Sequence, residues 1–195
     1  MTDHVPDPHA AGVANFAYEM GVLKRLRRAG WWQAGVRDPE SVAEHSLRVA
    51  QLAALIAAEE GADPARAAYL GLWHDSQETR ITDLPHSARR YIGEKADNET
   101  ITRDQVVYLP DAAAKTVTEA VVEYEARETL EARCAKDADK LECLLQALEY
   151  RAAGYQHVQK WIDSSRVGLT TSFASRVADA ALAGSTMTWH DQAQS

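Results

Sequence analysis

The chain has 195 residues, of which 46% are hydrophobic and 26% charged, and its formal net charge is −8. This length allows one large hydrophobic core, and the acidic balance argues against a general nucleic-acid binder. No apolar run approaches the roughly 18 residues that a membrane span needs. The polar N-terminal stretch 1–14 lacks the basic start of a secretory signal, so we expect a disordered tail and a cytoplasmic location.

Helical periodicity dominates the sequence, and no run shows a convincing strand alternation. An amphipathic helix is predicted over 16–29, followed by a loop with two adjacent tryptophans, Trp31 and Trp32. One of them is expected to pack in the core, and the other could line a pocket. The pattern predicts an all-α fold with a single globular helical bundle over 15–184 and a loose C-terminal tail over 185–195.

The helix after this loop carries the first candidate site residue. Ser41 and Glu44 form a capping box in front of an apolar run. His45 shares a face with the apolar residues of that run, so its side chain is expected to point inward. A lone inward histidine is usually a core residue, and this one becomes a ligand candidate only because polar partners exist elsewhere.

The stretch 70–85, LGLWHDSQETRITDLP, carries the strongest signal. An imidazole and a carboxylate, His74 and Asp75, come at the end of an apolar helix. Burying them costs free energy unless a cation neutralises them. Glu78 follows His74 by four residues, so the two share a face if the helix continues. Asp83 begins an expected turn.

The second half of the chain supplies one further candidate ligand. The stretch 86–110 is polar and irregular. Asp139 lies on a largely interior helix face, whereas Asp137 is expected to be exposed. The expected helices are 111–132, 135–150, 155–162 and 170–182.

Apolar helices thus carry polar groups that suit a divalent metal ion. The predicted ligands are His45, His74, Asp75 and Asp139. Two imidazoles and two carboxylates favour manganese, cobalt, iron, zinc or magnesium over copper. Such an ion could activate water and stabilise phosphoryl oxygens, as phosphomonoester hydrolysis requires. Glu78 could then orient or deprotonate the water, and Asp83 could protonate the leaving oxygen.

The same positions resemble a known family. The H…HD…D pattern is similar to that of HD-domain phosphohydrolases, and more narrowly to the YfbR-like 5′-deoxynucleotidases and their HDDC-type relatives. The segments that carry the resemblance are Gly30-Trp31, 40–50 (ESVAEHSLRVA), 74–85 (HDSQETRITDLP) and 135–150 (AKDADKLECLLQALEY). The resemblance implies an all-helical HD domain, a homodimer and one divalent metal ion. It also implies removal of the 5′-phosphate from (deoxy)nucleoside monophosphates by attack of a metal-bound water.

The resemblance also implies roles for single residues. By motif position, Glu78 and Asp83 match the family's two further active-site acids, and Trp31 matches a tryptophan on the substrate side. The YfbR-like branch has an arginine directly before that tryptophan, where this chain has glycine, and Arg28 could compensate. Thr82 stands where the family has a glycine, which could alter the turn that aims Asp83.

Two alternative functions stay open at this point. An HD-type di-iron oxygenase needs extra histidines between the HD pair and the last aspartate, and only His86 lies there. A non-catalytic nucleotide-sensing module could keep the ligands for stability, but Glu78 and Asp83 argue mildly against it.

Overall fold

A computed structural model of the protein describes residues 7–93 and 96–195, apart from the side chain of Arg89. These residues contain no β-strand, so the predicted all-α fold is confirmed. None of the helices in the described ranges combines the length and the hydropathy of a bilayer span. The α-helices are α1 (Pro8–Met20), α2 (Gly30–Gln33), α3 (Val42–Glu60), α4 (Pro64–Trp73), α5 (Glu78–Ile81), α6 (Asn98–Gln105), α7 (Asp111–Ala126), α8 (Leu130–Ala152), α9 (Gln159–Val167), α10 (Ser172–Ala183) and α11 (Thr188–Ala193).

Helices α3, α4 and α8 form the centre of the bundle and pack against one another. Their inward faces bury large aliphatic side chains, among them Ile56, Leu70 and Leu144. Burying one such side chain stabilises the fold by about 1.5–3 kcal/mol. Each of these helices also has a predicted metal ligand on it or directly after it, so the core holds the candidate site in place.

Local caps define where these helices start and stop. Ser41 Oγ accepts a hydrogen bond from the Glu44 N–H at 3.2 Å, and the Glu44 carboxylate accepts from the Ser41 N–H at 2.6 Å. Helix α3 stops at Gly61, whose φ of 77° is left-handed. Asp63 then caps α4 by accepting from N–H groups of its first turn. The capping box places His45 one turn inside α3, where it is fully buried.

Gly71 allows α3 and α4 to approach each other closely. A Cβ atom at this position would lie 3.2 Å from Cα of Ala50 and 3.2 Å from Cγ1 of Val49. The carbonyl oxygen of Gly71 also accepts a hydrogen bond from Nδ1 of His74 at 2.7 Å. This glycine therefore sets both the spacing of two central helices and the orientation of a predicted ligand.

The ends of the chain contain helices in the two stretches for which tails are predicted. Helix α1 begins at Pro8, inside the stretch 1–14, and Asp7 caps it. The rest of that stretch, residues 1–6, lies outside the described residues. Helix α11 lies within the stretch 185–195. An aspartate followed by a proline is a helix-start signal, and it accounts for the early start of α1.

The predicted helix over 16–29 starts and ends earlier than expected. Helix α1 ends at Met20, and a 3-10 turn follows it. The backbone then runs beside the residues before α3, where the N–H of Arg28 donates to the carbonyl oxygen of Glu40 at 3.0 Å. Leaving the helix here brings Arg28 to the candidate site.

Two predictions in the second half of the chain are wrong in detail. The stretch 86–110 is not irregular throughout, because it contains α6; its residues 94–95 lie outside the described ranges. The predicted helix over 111–132 is two helices, because Arg127 adopts a left-handed φ of 58° and ends α7. Thr129 then caps α8. A left-handed residue other than glycine leaves no clear sequence signal.

Asp137 is buried, although the sequence predicts that it is exposed. Its carboxylate accepts hydrogen bonds from the backbone N–H groups of Thr170 at 2.8 Å and Thr171 at 2.6 Å. These N–H groups precede α10 and would otherwise lack a partner within a helix. Helical periodicity could not reveal this contact, because the partners lie 33 and 34 residues away.

Candidate metal centre and its cavity

The four predicted metal ligands lie at one point in the core. Nε2 of His45 lies 3.3 Å from Nε2 of His74 and 3.3 Å from Oδ1 of Asp139. Oδ2 of Asp75 lies 2.9 Å from Nε2 of His74 and 3.6 Å from Nε2 of His45. Ligand atoms at about 2.0–2.2 Å from one cation are about 3–4 Å apart. The ligand atoms of His45, His74 and Asp139 all lie within 4.8 Å of one another, so these three side chains fit a single cation. Asp75, the fourth predicted ligand, lies beside the two imidazoles.

Hydrogen bonds on the far side of each imidazole direct its Nε2 towards this point. A carbonyl oxygen only accepts, so the contact with Gly71 requires that Nδ1 of His74 carries the hydrogen. Nδ1 of His45 lies 2.5 Å from Oε2 of Glu142, whose side chain is fully buried. Such partners hold a ligating imidazole in one tautomer and one orientation.

Glu142 is a residue of this centre that the sequence prediction missed. It follows Asp139 by three residues on α8, so the two side chains share a helix face. Arg48 neutralises it, because Nε and Nη2 donate to Oε1 of Glu142 at 3.0 and 2.7 Å. Arg48 also follows His45 by three residues on α3. This repeated spacing is the signal that could have found both residues.

The carboxylates of the centre favour a positive charge between them. Burial opposes ionisation of Asp75 and Asp139, but the two imidazoles and Arg28 hold their pKa values well below the usual range. Burial and Arg28 lower the pKa of His45, but the neighbouring carboxylates, Glu142 foremost, raise it to about 10. A divalent cation supplies the positive charge that this arrangement favours.

The centre opens into a cavity of about 530 Å³, and His74, Asp75 and Asp139 face it. Pockets for small ligands usually measure about 300–1,000 Å³, so this cavity has room for one. Other lining residues are Arg28, Gly30, Trp31, Glu78, Asp83, His86, Tyr124, Arg127, Lys136 and Trp161.

Glu78 lines this cavity at the start of α5. The chain turns between Trp73, where α4 ends, and Glu78, so the helix does not continue unbroken. One carboxylate oxygen of Glu78, Oε2, is buried and has no hydrogen-bond partner among the described residues. Burial raises the pKa of Glu78 to about 9, and Asp75 and Asp83 contribute to the increase. With no cation on Asp75, the side chain therefore holds a proton at neutral pH.

Asp83 connects two segments that line the cavity. Its Oδ2 accepts a hydrogen bond from the backbone N–H of Ala29 at 2.5 Å. This contact ties the segment of Arg28 and Trp31 to the turn after α5. Thr82 precedes Asp83 with a φ of 64° and a ψ of 165°, a conformation that is nearly restricted to glycine. The turn thus keeps a glycine-type backbone although its residue is threonine.

We expect Thr82→Gly to stabilise the protein by about 1 kcal/mol. Threonine in this backbone region costs about 1–3 kcal/mol, and glycine relieves that strain while adding up to about 1 kcal/mol of unfolded-state entropy. Thermal unfolding should show a Tm rise of about 2–4 °C. Thr82→Ala keeps a Cβ atom and is the control that should show no rise. A lower Tm for Thr82→Gly would show that the backbone of Thr82 is not strained.

Arg28 and Trp31 reach the cavity from the segment before α3. Nη1 of Arg28 lies 3.2 Å from Oδ2 of Asp75, so its charge is partly balanced there. Trp31 is 2% exposed, and its indole N–H donates to Oε1 of Glu40 at 3.0 Å. Trp32 is 55% exposed. Both roles predicted for this pair, packing in the core and lining a pocket, thus fall on Trp31.

Comparison with known proteins identifies the family. The model of the HD domain family matches residues 20–180. The chain is 33% identical over 141 residues to 5′-deoxynucleotidase HDDC2 of Mus musculus, which covers 72% of this chain and 70% of that protein. It is 31% identical over 159 residues to 5′-deoxynucleotidase HDDC2 of Homo sapiens, with coverages of 80% and 78%. The chain belongs to the HD domain family, and the prediction made from its motifs is confirmed.

Solved structures agree with this assignment. A conserved hypothetical protein from Pyrococcus furiosus superposes with a TM-score of 0.72 at 31% identity, over 88% of this chain and 99% of that one. A protein described as a predicted metal-dependent phosphohydrolase, from Magnetospirillum magnetotacticum MS-1, gives 0.68 at 27% identity, over 91% and 94%. The similarity therefore extends over nearly the whole of each fold.

Proposed function

We propose that this protein is a metal-dependent phosphohydrolase that removes the 5′-phosphate from (deoxy)nucleoside monophosphates. The observation that carries the proposal is the convergence of His45, His74 and Asp139, with Asp75 beside them, at a cavity of about 530 Å³. The names of the HDDC2 relatives support the substrate class. The proposed ligands of one divalent ion, drawn from manganese, cobalt, iron, zinc and magnesium, are His45, His74, Asp75 and Asp139.

The residues around the proposed ligands would have separate roles in proton donation, positioning and substrate binding. When bound, a divalent cation supplies Lewis-acid stabilisation of phosphoryl oxygens and an acidified water. Glu78, with its raised pKa of about 9, holds a proton that it can donate to the leaving 5′-oxygen. Asp83 positions the segment before α3 through Ala29. Arg28 and Trp31 then form the substrate-binding wall of the cavity.

A hydrolysis screen tests this function. Metal-stripped protein would be reloaded with each of the five metals and given the common ribo- and deoxyribonucleoside 5′-monophosphates, with 3′-monophosphates as the control. We expect phosphate release from 5′-monophosphates with at least one metal and none without metal. Tight nucleotide binding without any release would favour the sensing module. Two irons per chain, measured by elemental analysis, would favour the oxygenase.

A homodimer and a cytoplasmic location also belong to the proposal. The family resemblance supports the dimer, and the polar N-terminal sequence supports the location. Light scattering of the purified protein would measure the mass, which should be twice that of the 21.5 kDa chain.

A further inference from the structure

Lys136 is a cation of the cavity that the sequence motifs do not mark. It precedes Asp139 by three residues on α8, so both side chains lie on one helix face and line the same cavity. Its Nζ lies 3.9 Å from the centre of the Tyr124 ring. That ring in turn packs against His74 at 5.3 Å, and its hydroxyl lies 3.4 Å from Oδ2 of Asp139. The ammonium group is therefore held beside the metal centre.

The ammonium group of Lys136 makes no hydrogen bond or ion pair with any residue in 7–93 or 96–195. Arg127 also lines the cavity, but it is exposed to solvent, whereas Lys136 is partly buried. Two other nearby cations have partners. Arg28 bonds to Asp75, and Lys140, one turn further along α8, donates to the carbonyl oxygen of Gly168. An ammonium group has three donors, and its burial is unfavourable unless an anion or acceptors compensate. Burial accordingly lowers the pKa of Lys136.

The charge balance of the cavity indicates which ligand would compensate this ammonium group. Asp75 and Asp139 would offset the charge of a divalent cation, which leaves the single positive charge of Arg28 beside Asp75. A phosphate dianion would then bring negative charge that the four ligands and Arg28 do not neutralise. Asp83 adds to the excess, because it lines the same cavity. A phosphate group in this cavity therefore favours a further cation. Lys136 and the exposed Arg127 both line the cavity, and only Lys136 shares a helix face with the proposed ligand Asp139.

We propose that Lys136 binds the phosphate group of the substrate by donating a charge-assisted hydrogen bond to a non-bridging oxygen. This inference rests on the proposed function and adds a substrate-binding residue to it. Lys136 would contact the phosphate group in the bound substrate, in the transition state and in the bound phosphate product alike. Its loss should therefore weaken binding of phosphate itself, not only turnover.

The test compares Lys136→Met with the wild type. Methionine keeps an unbranched apolar side chain against Tyr124 and removes the charge. In the metal-loaded protein, the Kd for inorganic phosphate by calorimetry and the KM for a nucleoside 5′-monophosphate should both rise about 10- to 100-fold. Metal content and Tm should stay at the wild-type values. Lys136→Arg, which keeps the charge, should recover most of the phosphate affinity.

Arg133→Met is the matched control. Arg133 lies one turn before Lys136 on α8 and is exposed, so the substitution removes the same charge outside the cavity. Arg133→Met should change neither the Kd for phosphate nor the KM for the nucleotide by more than about twofold, because exposed charges are screened. If the wild type hydrolyses the nucleotide and Lys136→Met binds phosphate as tightly as the wild type, the inference is wrong and the proposed function stands. If the wild type neither hydrolyses nucleotides nor binds phosphate, both fail.

Discussion

Asp139→Ala should abolish both tight metal binding and phosphate release. Asp139 provides the carboxylate from α8, and its Oδ1 lies 3.3 Å from Nε2 of His45. Removing a partner of a metal ligand already costs about 10- to 100-fold in affinity, so removing a charged ligand should cost more than about 100-fold. Turnover should fall with the metal content. Equilibrium dialysis with manganese or cobalt measures the affinity, and a phosphate assay measures the rate.

Asp104→Ala is the control for this substitution, because Asp104 is an exposed aspartate on α6. It should retain wild-type metal binding and rate. Circular dichroism should show unchanged helix content in both variants, since α8 keeps its apolar face. An Asp139→Ala variant with wild-type metal affinity would show that Asp139 is not a ligand. His74→Ala should behave like Asp139→Ala, because it removes a ligand from a second helix.

Glu78→Gln should lower kcat about 10²- to 10⁴-fold while leaving metal affinity nearly unchanged. Glutamine keeps the shape and the hydrogen-bonding capacity of the side chain but cannot release a proton to the leaving group. Glu78 lies outside the ligand set, so the metal should bind as before. Steady-state kinetics and equilibrium dialysis separate the two effects. Glu78→Ala should lose turnover to a similar extent.

The pH profile gives a second measurement on Glu78. Its pKa is raised to about 9, so the carboxyl group is protonated below that pH and loses its proton as the pH rises through it. Wild-type kcat should therefore fall on the alkaline side, and Glu78→Gln should lack this fall. Glu59→Gln, at an exposed position near the end of α3, should match the wild type. Full activity of Glu78→Gln would remove Glu78 from the mechanism.

Three of the four predicted ligands could be proposed because each conflicts with its local sequence, and Asp139 could be proposed from its interior position on α8. His45 lies on an apolar helix face, and His74 and Asp75 end an apolar helix. A polar group in such a place is costly to bury, so it indicates a compensating partner. Glu142 and Lys136 could not be found in this way. They lie on an amphipathic helix where charged residues are common, so their spacing of three residues from Asp139 is the one sequence signal, and the tertiary fold is needed to show that they face the site.

Features of the fold could be predicted where the signal is local. The capping box of α3, its C-terminal glycine and the cap of α4 all lie within a few residues of the helix ends. The break between α7 and α8 depends on a left-handed Arg127, and the burial of Asp137 depends on backbone groups far along the chain. Neither has a local signature. The early start of α1 at Pro8 did have one, in the same aspartate–proline pair that marks the start of α4.

A side chain at position 71 would force α4 away from α3 by a few tenths of an ångström, because Ala50 backbone atoms occupy that space. His74 directly follows α4, whereas His45 belongs to α3, so the same displacement would move one imidazole relative to the other. Core packing at Gly71 and the geometry of the proposed metal site are therefore coupled. A substitution at a glycine that lies outside the cavity lining is thus expected to change the separation of two proposed ligands.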